Sequence, residues 1–360
     1  MTIRSNGEDA YFAASNSAGG FYSDYSAVFD RARIRRLFAV KGGPGTGKSR
    51  FLREVALCGE RVGYRCEYIY CSSDPDSLDG IILSRGEDGI ALLDATAPHV
   101  YEPSRPGFRE EIVNLGAFWD AGRLVQRSTE IERLQRDKSQ AYERAYRYLA
   151  AVGVLCENRD ALVKPYVDTD AVEALAKRLM RDVKSDGGSE IYPALIRSVG
   201  MRGEVGFDTY FRRAEKLFLI EDCRGIAQYL TRTLLGIAKE KGLRILLSHD
   251  PILPDRIDGI FLCERRIAFV IASDEECAYP CKRIRMRKFL DTAAMRGVRG
   301  ESNFCERMRR LMIEGAKEAL ACVREHHFAL EEIYSAAMRF SEKEDFTKIF
   351  CERLFDLQNT

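Results

Sequence analysis

The chain has 360 residues, of which 46% are apolar and 31% charged, and its formal net charge is +1. That length suffices for two domains of ordinary size, and the composition excludes a disordered or fibrous protein. So small a net charge gives no global case for binding nucleic acid or a membrane surface, and no apolar run reaches the roughly 20 residues that a bilayer span requires.

The first informative element is Leu37-Phe38-Ala39-Val40-Lys41, a short apolar run that reads as a buried strand. Gly42-Gly43-Pro44-Gly45-Thr46-Gly47-Lys48-Ser49 follows, a complete G-x-x-x-x-G-K-[ST] string. Arg50 to Glu60 then carries Phe51, Leu52, Val55, Ala56 and Leu57 at helical spacing. Strand, loop and helix in this order form the context in which the motif holds a nucleoside triphosphate. Its glycines let backbone N–H groups turn inward on the phosphates, and the helix N-terminus adds its positive dipole end. Lys48 is expected to reach the β- and γ-phosphates and the Ser49 hydroxyl to ligate Mg²⁺. The expected nucleotide contacts run over Gly42, Gly43, Pro44, Gly45, Thr46, Gly47, Lys48, Ser49 and Arg50.

Glu67-Tyr68-Ile69-Tyr70 reads as the next strand, and Cys71 to Asp79 as the loop at its end. In open α/β sheets such loops face the ligand. Asp74 or Asp76 could orient a water, bind the metal or hold an acceptor hydroxyl, and an Asp/Ser/Pro turn that caps the next element accounts for them equally well. Ile90-Ala91-Leu92-Leu93 ends in Asp94; a lone carboxylate at the end of a buried strand is the expected second acid for Mg²⁺, the Walker B position. Thr96-Ala97-Pro98-His99 comes directly after. His99 is a candidate γ-phosphate sensor or proton acceptor, and a packed structural histidine fits as well.

Gly122 to Val183 is charged and amphipathic with apolar residues three and four apart, a helical block. The polar, glycine-bearing stretch Lys184 to Glu190 is a linker. Beyond it the chain repeats itself at an offset of about 180 residues. Lys216-Leu217-Phe218-Leu219-Ile220 answers Arg36 to Val40, Asp258 to Leu262 answers Asp79 to Leu83, and Arg266 to Val270 answers Gly89 to Leu93. The openings also match, with Gly20 to Tyr25 facing Gly206 to Phe211. A second helical block runs from Ser302 to Leu357.

The second copy has lost the chemistry of the first. Glu221-Asp222-Cys223-Arg224-Gly225-Ile226-Ala227-Gln228-Tyr229 stands where Lys41 to Ser49 stood, so Gln228 replaces the lysine and Tyr229 the hydroxyl. Ile271 falls at the position of Asp94. The second site is expected to hold no nucleotide.

Two arginine-rich stretches, Arg31 to Arg36 and Lys282 to Lys288, read as solvated strand faces, with an arginine finger or a polyanion face as the alternatives. Eleven scattered cysteines, with no signal peptide in the first ten residues, indicate reduced thiols and a cytoplasmic location. Cys277 and Cys281, with Cys263 nearby, lack a standard zinc spacing.

Taken together, KGGPGTGKS (Lys41 to Ser49), CSSDPDSLDG (Cys71 to Gly80), DATAPHVYEP (Asp94 to Pro103), VNLGAFWD (Val113 to Asp120) and RAYRYL (Arg144 to Leu149) resemble the tandem P-loop ATPases of Firmicutes and clostridia, a family without an assigned substrate. The resemblance spans essentially the whole chain. It implies nucleotide contacts at Gly42 to Ser49 and a signature role for Asp94, Thr96, Pro98 and His99. That family keeps a working loop and aspartate in its second half; this chain departs from it at Gln228, Tyr229 and Ile271.

The expected fold is α/β: two tandem P-loop NTPase-like domains with mostly parallel sheets, over residues 1–185 and 186–360, each followed by an α-helical hairpin block at about 122–183 and 302–357. The expected activity is Mg·ATP hydrolysis in the first half, with Lys48, Asp94, Asp74 and His99 as its catalytic candidates, Ser49 and Asp94 holding the metal, and the second half serving as a regulatory or scaffold repeat. A small-molecule or nucleotide kinase is the first alternative, and a binding switch with negligible turnover the second. The absence of an N-K-x-D string leans toward ATP over GTP. A protein partner or a phosphate acceptor is left open, and neither nucleic acid nor a membrane is expected.

Overall fold

The computed structural model describes residues 2–4, 7–31, 33–97, 101–185, 187–272 and 277–355. The first half comprises β1 (Thr2–Arg4), β2 (Asp9–Phe12), β3 (Ala14–Ser17), β4 (Gly20–Ser23), α1 (Tyr25–Phe29), β5 (Ile34–Lys41), α2 (Lys48–Arg61), β6 (Arg65–Tyr70), β7 (Leu78–Arg85), β8 (Asp88–Asp94), β9 (Glu110–Asn114), α3 (Ala121–Gln126), α4 (Ser128–Val163) and α5 (Thr169–Met180). The second comprises β10 (Ile191–Pro193), β11 (Arg197–Gly200), β12 (Gly203–Phe207), α6 (Thr209–Arg213), β13 (Lys216–Glu221), α7 (Ala227–Glu240), β14 (Ile245–His249), β15 (Ile257–Leu262), β16 (Ile267–Ile271), β17 (Lys282–Arg285), α8 (Arg299–Ala336) and α9 (Phe340–Leu354).

Each half builds a six-stranded sheet in the same order, β2-β6-β7-β8-β5-β9 and β10-β14-β15-β16-β13-β17. Only β7 and β15 run against their neighbours, so both sheets are mostly parallel. The central strands are buried on both faces and therefore read as continuous apolar runs. Register supports the internal repeat residue by residue: Val40 pairs with Asp94, and Ile220 pairs with Ile271. The opening is the exception. The turn before β4 uses Gly20 and the turn before β12 uses Gly203, both at positive φ, whereas Gly206 lies inside β12. The true match of the openings is thus shifted from Gly206 to Gly203, because the turn selects the glycine that can adopt φ > 0.

The helices depart from the expected hairpins. α4 does not fold back on α5; it runs antiparallel to α8 of the other half. Ala141, Ala145, Leu149, Val152 and Cys156 on α4 pack with Ile313, Ala316, Ala319, Leu320 and Val323 on α8. This spacing of three and four residues makes a coiled-coil seam, and its alanines allow close approach. Farther along, Ile131 and Leu134 meet Leu330 and Ile333, while Arg159 meets Glu306 at 3.0 Å. The short helices are exchanged as well: α5 packs on α7 and α9 on α2. Exchange was invisible in the sequence because amphipathicity marks a buried face without saying whose core covers it.

The crossover is symmetric. An isolated bridge joins Trp119 to Met338, and its counterpart joins Leu290 to Val167, 171 residues apart on both strands (338 against 167, 290 against 119). The Asp120 N–H donates to Ala337 O at 2.7 Å, as the Asp291 N–H donates to Tyr166 O at 2.9 Å. The two sheets also meet edge to edge, where Phe12 and Leu195 exchange backbone hydrogen bonds of 2.7 and 3.2 Å.

Leu149 is fully buried at the α4–α8 seam. Leu149→Ala is expected to destabilise the protein by about 2–5 kcal/mol, read as a lowered urea midpoint with an unchanged slope. Glu306 supplies a pH signature at the same seam. Burial pushes its carboxyl up, but the Arg309 and Arg159 guanidiniums outweigh burial and bring it from the ordinary 4.5 down to about 2. A depressed carboxylate adds stability above its unfolded pKa, and that increment is lost as pH falls from 4.5 through about 2. Glu306→Gln should therefore flatten the stability profile in that window, measured by denaturation at stepped pH, and leave its shape above the window unchanged.

Candidate functional site

The glycine-rich loop leaves β5 and delivers the chain into α2. Gly47 sits at the N-cap in a left-handed conformation and has no side chain with which to cap, and the first turn of α2 carries no acid. The N–H groups of the opening turn therefore have no intrahelical acceptor. Thr46 tightens the loop by donating its hydroxyl to Gly43 O at 2.9 Å. Lys48 crosses the loop, its Nζ donating to Gly42 O at 2.7 Å and Gly43 O at 2.8 Å, and lies 3.5 Å from Asp94 Oδ2.

Asp94 ends β8, the parallel neighbour of β5, so sheet register alone carries it to the loop. Burial raises its pKa and Lys48 lowers it, while Asp79 adds a further raising charge. Thr96 ties the two segments, donating its hydroxyl to Gly42 O at 2.7 Å and its N–H to Asp94 Oδ1 at 2.8 Å. Ser49 Oγ accepts the Leu78 N–H at 2.9 Å, at the start of β7 and next to the buried Asp79. Ser49, Asp94 and Asp79 are thus hard oxygen donors gathered at one end of the sheet. Among the described residues no three His, Cys, Asp or Glu side chains cluster as a self-sufficient metal centre.

The second half contributes directly to this site. Ser335 of α8 donates to Gly45 O at 3.1 Å. A Cβ on Gly45, whose φ is +70°, would lie 2.5 Å from Glu331 O, so only glycine fits beneath the helix. Burial pushes the Glu331 carboxyl up, but His327 (3.6 Å away), Lys48 and the Gly45 N–H outweigh it and hold it below its ordinary range. Burial together with the neighbouring Lys48 lowers the pKa of Lys138 on α4, which Glu331 opposes. One carboxylate from the second half therefore faces two lysines of the first half.

The second loop resolves the same geometry differently. Asp222 accepts the Gly225 N–H at 2.7 Å and the Ala227 N–H at 2.8 Å, so the chain's own carboxylate fills the amide site at the start of α7. Gln228, in place of the lysine, donates to Asp160 Oδ2 of α4 at 2.8 Å. Gly225, at φ +82°, admits no side chain because Arg159 and Asp160 lie against it. A cleft of about 340 Å³ opens beside this loop, with Arg159, Arg256, Asp222, Gln228, Asp258 and Ile271 in its wall.

The residues expected from the sequence are thus divided. Lys48, Ser49, Asp94 and Thr96 converge. Asp74 is drawn elsewhere: burial raises its pKa, and it pairs with Arg202 of the β11–β12 hairpin at 3.7 Å, which also holds Asp76. The Arg50 side chain turns to Glu54 and Glu344, at 2.8 and 3.0 Å. His99 and Pro98 lie outside the described residues. Of the arginine stretches, Arg31 is bound to Glu67 and Arg285 to Glu221, each within its own half. Asp79, Glu331 and Lys138 were missed. Only Asp79 left a signal, as the acid at one position of both repeats, answered by Asp258.

Comparison with known protein families, with curated proteins and with solved structures returns no match to this chain. Among the described residues no helix is long and apolar enough to cross a membrane.

Proposed function

We propose that the first half binds a nucleoside triphosphate, most simply ATP, together with Mg²⁺ and hydrolyses it, in keeping with the motif-level resemblance to tandem P-loop ATPases. One observation carries this reading. Two loops of the same frame start two equivalent helices, and only the second satisfies its amides with its own acid, Asp222. The first leaves its helix N-terminus without an acid in the first turn and sets Lys48 and Asp94 beside it. An external polyanion is the partner such a loop is built for.

Ser49 and Asp94 would hold Mg²⁺, with Asp79 in support. Mg²⁺ is commonly bound by one or two carboxylates plus substrate phosphates, so this donor set fits it. The ion would neutralise charge on the phosphates. The chain's own work is positioning and charge stabilisation: the opening N–H groups of α2 and Lys48 act on the phosphate oxygens, and Asp94 fixes Lys48. Asp74 is less suited to activate water, being engaged by Arg202.

A nucleotide-dependent switch is the second reading, favoured by the position of α8. Glu331 and Ser335 lie on the loop, and α8 is the helix that joins the halves. A phosphate at the Gly45 N–H displaces the Glu331 carboxylate and is thereby felt along the seam.

Lys48→Ala is expected to abolish phosphate release from Mg·ATP while leaving the thermal transition in place; unchanged release in that variant overturns the hydrolase reading. Glu331→Gln removes a competing charge and should tighten Mg·ATP binding roughly threefold to tenfold by calorimetry. Weaker binding in that variant would show that Glu331 assists the ligand instead of competing with it.

A further inference from the structure

Trp119 is the only tryptophan of the chain. It follows β9, the strand beside β5, and its ring lies against the loop: a Cβ on Gly43 would be 3.2–3.3 Å from the indole. Tyr334 of α8 packs on it with ring centroids 5.4 Å apart and planes at 44°. The indole Nε1–H is buried and has no hydrogen-bond acceptor among the described residues. A buried donor without an acceptor is costly and calls for a reason.

The internal repeat acts as a control. The crossover bridges set Trp119 against Leu290, and on the long helices Tyr334 falls opposite Val163, 171 residues earlier. Both aliphatic residues are buried in the apolar core of the second half. The aromatic pair and its unpaired donor thus occur only beside the loop whose amides are left for an external anion. Packing alone does not require them, since Leu290 and Val163 close the equivalent corner without any polar atom.

We infer that Trp119 and Tyr334 form the wall that receives the nucleoside end of the triphosphate, with the indole N–H donating to an acceptor on the base or ribose. Aromatic rings offer a nucleoside a flat, polarisable surface, and the hydrogen bond gives that surface an orientation. This inference rests on the proposed nucleotide reading and adds a determinant that polyphosphate alone cannot satisfy. It also makes the site composite, because Tyr334 comes from the second half.

As the sole tryptophan, Trp119 reports on its own environment. Binding of Mg·ATP and of Mg·tripolyphosphate is to be measured by calorimetry on the native chain, with Trp119 emission followed in parallel. ATP is expected to shift or quench the emission, and tripolyphosphate to bind without doing so. Trp119→Leu, the second half's choice, should weaken ATP roughly tenfold and leave tripolyphosphate within about twofold. Trp119→Phe keeps the ring and lacks the donor, so it covers the case in which the leucine variant fails to fold. ATP binding with unmoved Trp119 emission, or equal losses for ATP and tripolyphosphate, overturns the wall alone. No calorimetric ATP binding by the native chain overturns the nucleotide reading and the wall with it.

Discussion

The antiparallel packing of α4 against α8 is the interaction on which the rest of this molecule depends. Each helix finds its main partner in the other half: the seam from Ala141 to Cys156 is closed by Ile313 to Val323, and neither face is buried without the other. Because these helices run 36 and 38 residues, each extends past the seam to the far loop. α8 thereby reaches the first glycine-rich loop and α4 the second. The short helices complete the exchange, α9 lying on α2 and α5 on α7. Each loop is consequently roofed by the other half, and any ligand at one loop meets residues from both.

Against that symmetric frame, the asymmetry of the loops is a matter of where negative charge comes from. A helix N-terminus exposes N–H groups that need acceptors. In the second half Asp222 provides them from within the loop, while Gln228 replaces a charge with an amide that Asp160 can satisfy. In the first half the loop has glycines where an acid would sit, and the neighbouring charges are Lys48 and Lys138 against Glu331 and Asp94. Glu331 is only a partial answer, because it arrives on a helix that also has to satisfy the seam. A removable carboxylate at the loop is compatible with both proposed readings, hydrolysis and switching, which differ in rate more than in architecture.

Much of this was legible in the chain. A complete glycine-rich motif between an apolar run and an amphipathic run predicts strand, loop and helix, and β5, the loop and α2 follow it. A lone acid after Ile90 to Leu93 predicts a strand end near the loop, and Asp94 stands there opposite Val40. Repetition at about 180 residues predicts two sheets of one topology, and their strand orders agree. These features are local or periodic, and period and turn chemistry are written in neighbouring residues. Asp74 shows the limit. Its Asp/Ser/Pro context looked equally good for function or for a turn, and a distant residue, Arg202, decided its partner.

By itself, then, the sequence determined the class of sheet, the loop and its lysine, the strand-end acid, and the loss of that loop motif, lysine and acid in the second copy, because each is a statement about residues adjacent in the chain or repeated along it. Only the tertiary structure decided that the helices cross between halves and that Glu331 and Tyr334 roof the first loop. An amphipathic helix encodes that one face must be buried but not which surface buries it, and a carboxylate encodes a charge but not the amide it will meet. Those choices are made by long-range packing, where residues 147 positions apart, as Arg159 and Glu306 are, or 290 apart, as Ser335 and Gly45 are, come into contact.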